Sequence, residues 1–467
     1  MKKKIWGKRV LLPGGWSSNT LIDIDQNGKI KDIKKNVQPS NQVFDTLIPS
    51  PMNLHSHCFQ RAMSGLSERS ESKTNDFWSW RNFMYNFLNK ITPDYFEAIC
   101  AIAQMEMLEA GYSGVSEFHY LHNDLSGVCY NKISEMSERV INASKKTGIG
   151  LTLLPVLYEH NGINGGNLIS GQDRFGLTFH EFEKLFEEII KSKNRIKDFQ
   201  VGVAAHSLRA VKKRSLLELS KNFTDYPIHI HVAEQKKEVL EVSNAWSKRP
   251  IEWLIDNLDL NSKWCLIHCT QMLNHEAKLL AKTGAVIGLC PVTEANLGDG
   301  IFNGKSWLKE GGKFGIGTDS NVKISLFEEL RTLEYSQRLK YRKRIVLKQK
   351  NSLSIGRDLI ETILDGGQLA SGRKTGKIKA GFWADILALD LSSSHYSSLN
   401  NDEKLNYLIF SENEKIIDSV FSAGRWVVKE GKHIDRKKII VKYFESLRKI
   451  AKSLNYFKNF ISKKNIQ

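Results

Sequence analysis

The stretch PMNLHSH, residues 51–57, carries two histidines spaced i and i+2 at the end of an apolar run. On a β-strand, residues i and i+2 point to the same side, so the imidazoles of His55 and His57 would face one point. Neutral imidazole is the commonest metal-binding side chain. Taken alone, the pair is equally explained by two hydrogen-bonded polar residues at a strand end, and further ligands have to be sought along the chain.

Three more apolar, strand-like runs end in side chains that bind metals or transfer protons. Such groups are rarely buried unless they are paired or bound to a metal, so their recurrence at strand ends indicates a site rather than a core. They are His229, His231 and Glu234 in PIHIHVAE (227–234), His268 in WCLIHC (264–269) and Asp319 in FGIGTD (314–319).

Between residues 51 and 365, strand-like runs alternate with amphipathic stretches such as YFEAICAIAQMEMLEAG (95–111). This alternation predicts an α/β protein with a parallel sheet, and eight such units close a TIM-type (β/α)8 barrel. In a barrel, the ends of different strands meet at one mouth, where these histidines and the two carboxylates could assemble. The remaining predicted strands are GVSEFHY (114–120), LTLLPVLY (151–158), FQVGVAAH (199–206) and AVIGLC (285–290).

Both ends of the chain have a different texture, with short strands and turns, including a hairpin signal at Asn27-Gly28. We therefore expect a composite β domain, a small β-sandwich, from residues 1–50 and 370–435, around a metal-dependent barrel of residues 51–369. Residues 436–467 predict a basic amphipathic helix that packs on the body of the protein. Its expected apolar side is formed by Val441, Phe444, Leu447, Ala451, Leu454 and Ile461.

The pattern of HxH after the first barrel strand, His after the fifth and sixth, and Asp after the eighth resembles the amidohydrolase superfamily. The HxxE spacing from His231 to Glu234 is similar to its deaminase branch. Longer stretches resemble members of that branch that act on N-formimidoyl-L-glutamate, and they cover nearly the whole chain. These are PSPMNLHSHCFQRAMSGLSE, FWSWRNFMY, SEFHYLH, LLPVLYEH, AHSLRAV and LCPVTEANLGDGIF.

The resemblance implies a role for each residue that matches the motifs. It implies one divalent metal ion per chain, with zinc expected, although iron and manganese accept the same ligand types. The implied metal ligands are His55, His57, His231 and Asp319. The implied catalytic residues are Glu234, His268 and Asp319. The implied substrate-binding residues are Gln60, Arg81, Tyr120, His206 and Arg209.

The implied activity is the hydrolysis of N-formimidoyl-L-glutamate to N-formyl-L-glutamate and ammonia, a step of histidine degradation. The residue chemistry agrees with it. Three histidines and an aspartate leave a zinc-like ion an open position for water, as in catalytic rather than structural sites. The small-molecule substrate is a dicarboxylate, and guanidinium groups such as Arg81 and Arg209 bind carboxylates through a two-pronged fork.

Charge is the unusual bulk property, since 68 Lys and Arg stand against 51 Asp and Glu among 467 residues. Residues 436–467 contribute ten basic residues and one Glu to that excess, and elsewhere the lysines are scattered. We therefore expect no nucleic-acid partner and no membrane partner. The resemblance separately implies a homodimer, which is common in the family. Six cysteines without CxxC pairs predict reduced thiols and a cytoplasmic location.

One near-motif predicts no ligand. The run GQLASGRKT (367–375) almost matches a phosphate-binding loop, but Arg373 stands where that loop requires Lys, so a solvated loop is expected.

Two other functions remain as alternatives. A deaminase of a purine or pyrimidine base would share the metal set, but its pocket would need stacking rings and amide groups rather than paired arginines. A non-catalytic basic barrel used for binding would have no reason to keep His55, His57, His231, Glu234, His268 and Asp319 together.

Overall fold

A computed structural model describes residues 3–39, 42–66, 68, 77–193, 196–349, 353–411 and 416–453. Within these ranges, no helix is both long enough and apolar enough to cross a membrane. The strands are β1 Lys3–Leu12, β2 Gly15–Ile24, β3 Ile30–Lys34, β4 Val43–Pro49, β5 Met52–Ser56, β6 Gly114–His119, β7 Gly150–Leu157, β8 Gln200–Val201, β9 Val203–Ser207, β10 Ile228–Val232, β11 Trp264–His268, β12 Val286–Leu289, β13 Lys313–Ile316, β14 Ile386–Leu389, β15 Ile417–Ser422, β16 Arg425–Lys429 and β17 Lys432–His433. The α-helices are α1 Phe77–Leu88, α2 Pro93–Glu109, α3 Glu135–Thr147, α4 Phe179–Lys191, α5 Lys213–Asn222, α6 Lys236–Trp246, α7 Pro250–Asn257, α8 Asn274–Thr283, α9 Pro291–Leu297, α10 Gly304–Lys309, α11 Leu326–Tyr341, α12 Ile355–Ser371, α13 Asn401–Phe410 and α14 Arg436–Ser453. Short 3-10 helices span Cys58–Met63 and Ser394–Tyr396.

The central sheet is the predicted parallel barrel. Its strands follow the order β13-β12-β11-β10-β9-β7-β6-β5, and all of these pairs are parallel. Gly202 separates β8 from β9, and a Cβ there would lie 2.6 Å from the carbonyl oxygen of Pro227. The seven apolar runs identified in the sequence coincide with barrel strands to within a few residues, so the predicted fold class is confirmed.

The barrel closes through a polar seam between β5 and the segment that follows β13. Backbone amides of Thr318 and Asp319 donate to the carbonyl oxygen of His55 at 3.0 and 2.9 Å, and His57 donates to the carbonyl oxygen of Asp319 at 2.9 Å. At Gly317, an added Cβ would lie 2.7 Å from the backbone nitrogen of His55. Only glycine therefore allows the two segments to approach this closely.

The second sheet joins both ends of the chain, as predicted from the texture of the sequence. Its eight strands follow the order β17-β16-β15-β14-β4-β1-β2-β3. The sheet curls, because Ile30 at the start of β3 exchanges backbone hydrogen bonds with Gly381 and Phe382, close to the start of β14. It encloses a core of its own, formed by Ile5, Val10, Leu12, Ile22, Ile24, Ile30, Phe44, Leu47, Ile378, Ala384, Ile386, Ala388 and Phe421.

A buried ion-pair cluster links the two sheets. Arg373 is 1% exposed and forms a two-pronged pair with Asp385, with both distances 3.1 Å. Its Nη2 lies 3.0 Å from Asp198, which also pairs with Arg425. Burial opposes ionisation of Asp198, but the two guanidinium groups outweigh burial and lower its pKa. The expectation of a solvated loop at residues 367–375 is therefore wrong, because α12 extends to Ser371 and Arg373 enters the core.

The C-terminal helix packs on the body of the protein, but with only some of the expected side chains. In α14, Ile439 and Ile450 are buried and pack toward α2, whereas Val441 and Phe444 are 50% and 52% exposed. The predicted face is thus only partly correct, since Leu447 packs against the core whereas Val441 and Phe444 are exposed. Leu454 and Ile461 lie outside the described residues.

One pair of cysteines differs from the expectation of reduced thiols. Cys58 and Cys100 form a disulfide between the 3-10 helix after β5 and the middle of α2, with their Cα atoms 5.0 Å apart. They are 42 residues apart in sequence, so spacing gave no signal for the pair. The other four, Cys129, Cys265, Cys269 and Cys290, are free thiols.

We predict that Arg373→Met lowers the free energy of unfolding by about 3–5 kcal/mol, because it leaves two buried carboxylates without their shared cation. Denaturant unfolding followed by circular dichroism measures the change. Arg214→Met is the matched control, since Arg214 pairs with Glu218 at the exposed surface and should not affect stability measurably. A loss below about 1 kcal/mol for Arg373→Met would contradict the role of the cluster.

Candidate active site

Four ligand atoms converge at the mouth of the barrel. The Nε2 atoms of His55 and His231 are 3.0 Å apart, and Asp319 Oδ1 lies 3.4 Å from His55 Nε2 and 3.2 Å from His57 Nε2. The four side chains are buried, and their ligand atoms lie within 4.8 Å of one another. His55 lies on β5, His57 directly follows that strand, β10 supplies His231, and the seam after β13 supplies Asp319.

Backbone carbonyl groups orient two of these imidazoles. Nδ1–H of His57 donates to the carbonyl oxygen of Phe118 at 3.0 Å, and Nδ1–H of His231 donates to that of His206 at 2.9 Å. Each Nε2 lone pair is therefore directed to the common point, which is how outer hydrogen bonds set the tautomer of a metal-binding histidine. Burial lowers the pKa of His55, His57 and His231, and so favours the neutral form that binds metals.

The arrangement fits a small divalent ion. Ligand atoms about 2.0–2.1 Å from one ion and about 90–110° apart lie about 2.9–3.4 Å from each other, which matches the observed separations and leaves a further position for water. Three nitrogens and one carboxylate oxygen are the ligand types of catalytic zinc sites. A second group that could hold an ion consists of His268, Cys290 and Asp319, but it shares Asp319 with the first.

Two groups suited to proton transfer face this metal-binding group. Nε2 of His268 lies 3.9 Å from Glu234 Oε1 and 3.8 Å from Asp319 Oδ2. Burial is the main cause that raises the pKa of Glu234. Burial would lower the pKa of His268, but Glu234, Glu294 and Asp319 together raise it. The cavity therefore holds a carboxyl that takes up protons readily beside an imidazole that retains one.

The backbone is left-handed at all three strand ends that supply these groups. Ala233, which precedes Glu234, has φ 50°, His268 has φ 70° and Asp319 has φ 43°. Non-glycine residues in this region cost roughly 1–3 kcal/mol each and cluster at functional sites. This backbone conformation occurs at, or next to, each of the three residues Glu234, His268 and Asp319, whose side chains face the same cavity.

The five residues expected to bind substrate line one cavity together with His57, His231, Glu234, His268 and Asp319. Nε2–H of Gln60 donates to the hydroxyl oxygen of Tyr120 at 3.0 Å, which leaves Gln60 Oε1 as a buried acceptor without a partner among the described residues. The charges of Arg209 and Arg81 both reach His206, whose pKa is lowered by burial first and then by these cations. The two guanidinium groups thus make the part of the cavity next to His206 cationic.

The sequence did not identify several residues that line the cavity or form hydrogen bonds with residues that line it. Tyr158 lines the cavity, and its hydroxyl accepts a hydrogen bond from Gln172 Nε2 at 3.0 Å. Gln172 also donates to Tyr85 at 3.3 Å, and Arg81 lies over the ring of Tyr85 at 5.5 Å. Tyr158 ends an apolar strand run, a signal that could have identified it. Gln172 lies in a long loop, and nothing in its neighbourhood in sequence singles it out.

Glu294 was also missed, although it lies in one of the stretches that carried the resemblance. Its Oε1 is 3.2 Å from Nδ1 of His268, on the side of the ring away from Glu234. A carboxylate one helical turn past a strand end is a weak signal in sequence, because most such residues only support the start of a helix.

Comparisons with known proteins agree with this geometry. Residues 46–427 match the model of the amidohydrolase family. The chain belongs to the amidohydrolase family.

Within that family, the chain is 41% identical over 433 residues to the formimidoylglutamate deiminase of Pseudomonas aeruginosa, which covers 92% of this chain and 95% of the relative. A crystal structure of an amidohydrolase from Brucella melitensis has a TM-score of 0.91 at 41% identity, covering 96% of this chain and 99% of the other. An adenosine deaminase from Xanthomonas campestris with bound zinc shares the fold, with a TM-score of 0.80 at 18% identity, covering 96% and 98% of the two chains.

We expect the four-residue group to hold one divalent ion per chain, and His231→Gln to abolish tight binding because it removes one of the four ligands. Elemental analysis of purified protein after dialysis measures the ion. His229→Gln is the matched control, since His229 lies on the same strand but donates to the carbonyl oxygen of Ala370 at 2.8 Å. Two tightly held ions per chain, or an undiminished ion in His231→Gln, would contradict the assignment.

Proposed function

We propose that this protein hydrolyses N-formimidoyl-L-glutamate to N-formyl-L-glutamate and ammonia, as a step in histidine degradation. The observation that carries the proposal is one buried cavity in which two arginines lie beside a His-His-His-Asp group. The name of the Pseudomonas aeruginosa relative supports it, at 41% identity over most of both chains. A cytoplasmic location and a homodimer stay predictions.

We assign His55, His57, His231 and Asp319 as the residues that would hold one divalent ion, with zinc as the expected metal. When bound, such an ion lowers the pKa of a coordinated water toward about 7 and so supplies a nucleophile near neutral pH. The remaining steps depend on side chains of the chain itself.

Glu234, His268 and Asp319 would divide the proton transfers. Asp319 accepts a proton from the attacking water, and Glu234 protonates the imino nitrogen, which makes the formimidoyl carbon more electrophilic. His268 holds and orients the oxygen that adds to this carbon. The proton held by Asp319 then passes to the same nitrogen, the C–N bond breaks and ammonia leaves. The hydroxyl proton of the added oxygen returns to Glu234, and this oxygen remains as the formyl oxygen.

The cationic part of the cavity would hold the two carboxylates of the substrate. Arg81 and Arg209 each offer a planar fork of N–H donors that matches a carboxylate. Tyr120 and His206 support them as polar contacts, and the buried Oε1 of Gln60 can accept an N–H of the amidine. A buried acceptor without a partner costs about 1–3 kcal/mol, which a substrate N–H would recover.

The alternative of a purine or pyrimidine deaminase is tested by the same assay. Aromatic side chains, among them Trp80, Tyr85 and Phe175, also line the cavity, so the paired arginines and not the rings distinguish the two functions. Ammonia release should be measured with zinc-loaded protein on N-formimidoyl-L-glutamate, guanine and cytosine side by side. Turnover of either base in preference to the dicarboxylate would overturn the proposal.

For the proton donor, we predict that Glu234→Gln lowers kcat by about 10²–10⁴-fold, because an amide cannot shuttle a proton. Elemental analysis should find unchanged metal content, since Glu234 lies outside the ligand set. Near-native kcat in this variant would remove Glu234 from the mechanism.

For the substrate clamp, we predict that Arg209→Lys lowers kcat/KM by roughly 30- to 1,000-fold, or about 2–4 kcal/mol, because a point charge replaces the fork. Arg81→Ala should behave similarly if Arg81 holds the other carboxylate. Formimidoyl-glycine, which lacks the γ-carboxylate, should be less affected by loss of whichever arginine binds that group. Equal losses on both substrates for both arginines would show that neither recognises the glutamate side chain.

A further inference from the structure

A buried glutamate lies behind His268, outside the cavity. Glu294 is 5% exposed and belongs to α9, the helix that follows β12. Its Oε1 accepts a hydrogen bond from the backbone N–H of Cys290 at 2.9 Å and lies 3.2 Å from Nδ1 of His268. The backbone N–H of Glu294 in turn donates to the carbonyl oxygen of Cys290 at 2.8 Å. Cys290 therefore helps to hold the carboxylate at the end of β12, in addition to its contact with the imidazole of His268.

This contact determines which nitrogen of His268 faces the cavity. A carboxylate oxygen only accepts hydrogen bonds, so Nδ1 must carry the proton that joins it to Glu294. Nε2 is then directed at Glu234 and Asp319, which lie 3.9 and 3.8 Å away. A second protonation at Nε2 would leave a cation between three carboxylates.

We propose that Glu294 is a positioning residue for the deimination reaction, and that it acts by holding the Nδ1–H of His268 so that Nε2 faces the reacting atoms. The inference rests on the proposed function and adds a residue to it. Without Glu294, the ring of His268 could exchange tautomers or rotate, because Glu294 is its only described partner at Nδ1. The left-handed backbone of His268 adds strain that such an anchor offsets.

The kinetic test uses zinc-loaded full-length protein with Glu294→Ala and Glu294→Gln. The alanine variant should lose about 10- to 100-fold in kcat, the usual cost of removing a partner that orients an active-site imidazole, while KM stays within a few-fold. The glutamine variant keeps an acceptor oxygen of the same reach and should recover part of that loss. Equal losses in the two variants, or kcat within two-fold of the parent for Glu294→Ala, would overturn the proposal.

Glu334→Gln is the matched control for burial. Glu334 is fully buried, and its carboxylate accepts backbone N–H groups of Val346 and Leu347 at 2.9 and 3.0 Å, but it lies on α11 and does not line the cavity. It should lower the thermal unfolding midpoint without a specific loss in kcat. A loss in kcat as large as that of Glu294→Gln would show that the effect is general destabilisation.

A double-mutant cycle tests whether Glu294 acts through His268. In a His268→Ala background, Glu294→Ala should cost almost nothing further in kcat, because residues that act as a unit are not additive. A full additional 10- to 100-fold loss in that background would mean that Glu294 acts elsewhere and would contradict the proposal.

NMR spectra of protein labelled with ¹⁵N-histidine test this inference separately from the proposed function. The signal missing from His268→Ala assigns His268, and its Nδ1 should be protonated in the parent and change in Glu294→Ala. If the parent failed to deiminate N-formimidoyl-L-glutamate, the spectra would still report the tautomer. An unchanged signal in Glu294→Ala would overturn the positioning role even in an active enzyme.

Discussion

The seam that closes the barrel is the constraint on which the site depends. His55 lies on the first barrel strand, His57 directly follows it and Asp319 follows the last strand, so these ligands meet because β5 and the segment after β13 share backbone hydrogen bonds. The side chain of Asn321 reinforces the seam, since its amide nitrogen donates to Ser56 Oγ and to the carbonyl oxygen of His57 at 3.1 and 3.2 Å. The contacts that close the barrel therefore also bring the metal-binding residues together.

Neighbouring histidines in the cavity have opposite ionisation tendencies, and their surroundings explain why. Burial lowers the pKa of the three histidines of the metal-binding group, which face one another. His268 lies among carboxylates that raise its pKa in spite of burial. Burial first and the charge of Glu234 next raise the pKa of Asp299 to about 9, which favours its uncharged form. Arg81 and Arg209 line the same cavity as Glu234 and Asp319, so cations and carboxylates both face the space available to a substrate.

The sequence contained enough information for the barrel and for most of the candidate site, for a physical reason. Parallel strands buried on both faces read as short apolar runs, and polar residues at their ends stand out against them. The residues that escaped detection make contacts that depend on distance in space. Glu294 contacts His268 from helix α9, Gln172 contacts Tyr85 and Tyr158 from a loop, and the carboxylates that pair with Arg373 are 175 and 12 residues away in sequence. No local pattern encodes such partners.

The ion-pair cluster that joins the two sheets also constrains the order of events during synthesis. Asp198 precedes β8 in the barrel, whereas its cationic partners Arg373 and Arg425 come from the last quarter of the chain. A ribosome adds about 5–20 residues per second, so Asp198 waits at least several seconds for Arg425 to be translated. Until Arg373 is translated, Asp198 has neither of its cationic partners, and until β14 is translated, the N-terminal strand β4 lacks its neighbour. Residues translated late therefore complete the structure of some translated early, and a nascent chain that stalls before residue 373 leaves the carboxylate of Asp198 without a counterion.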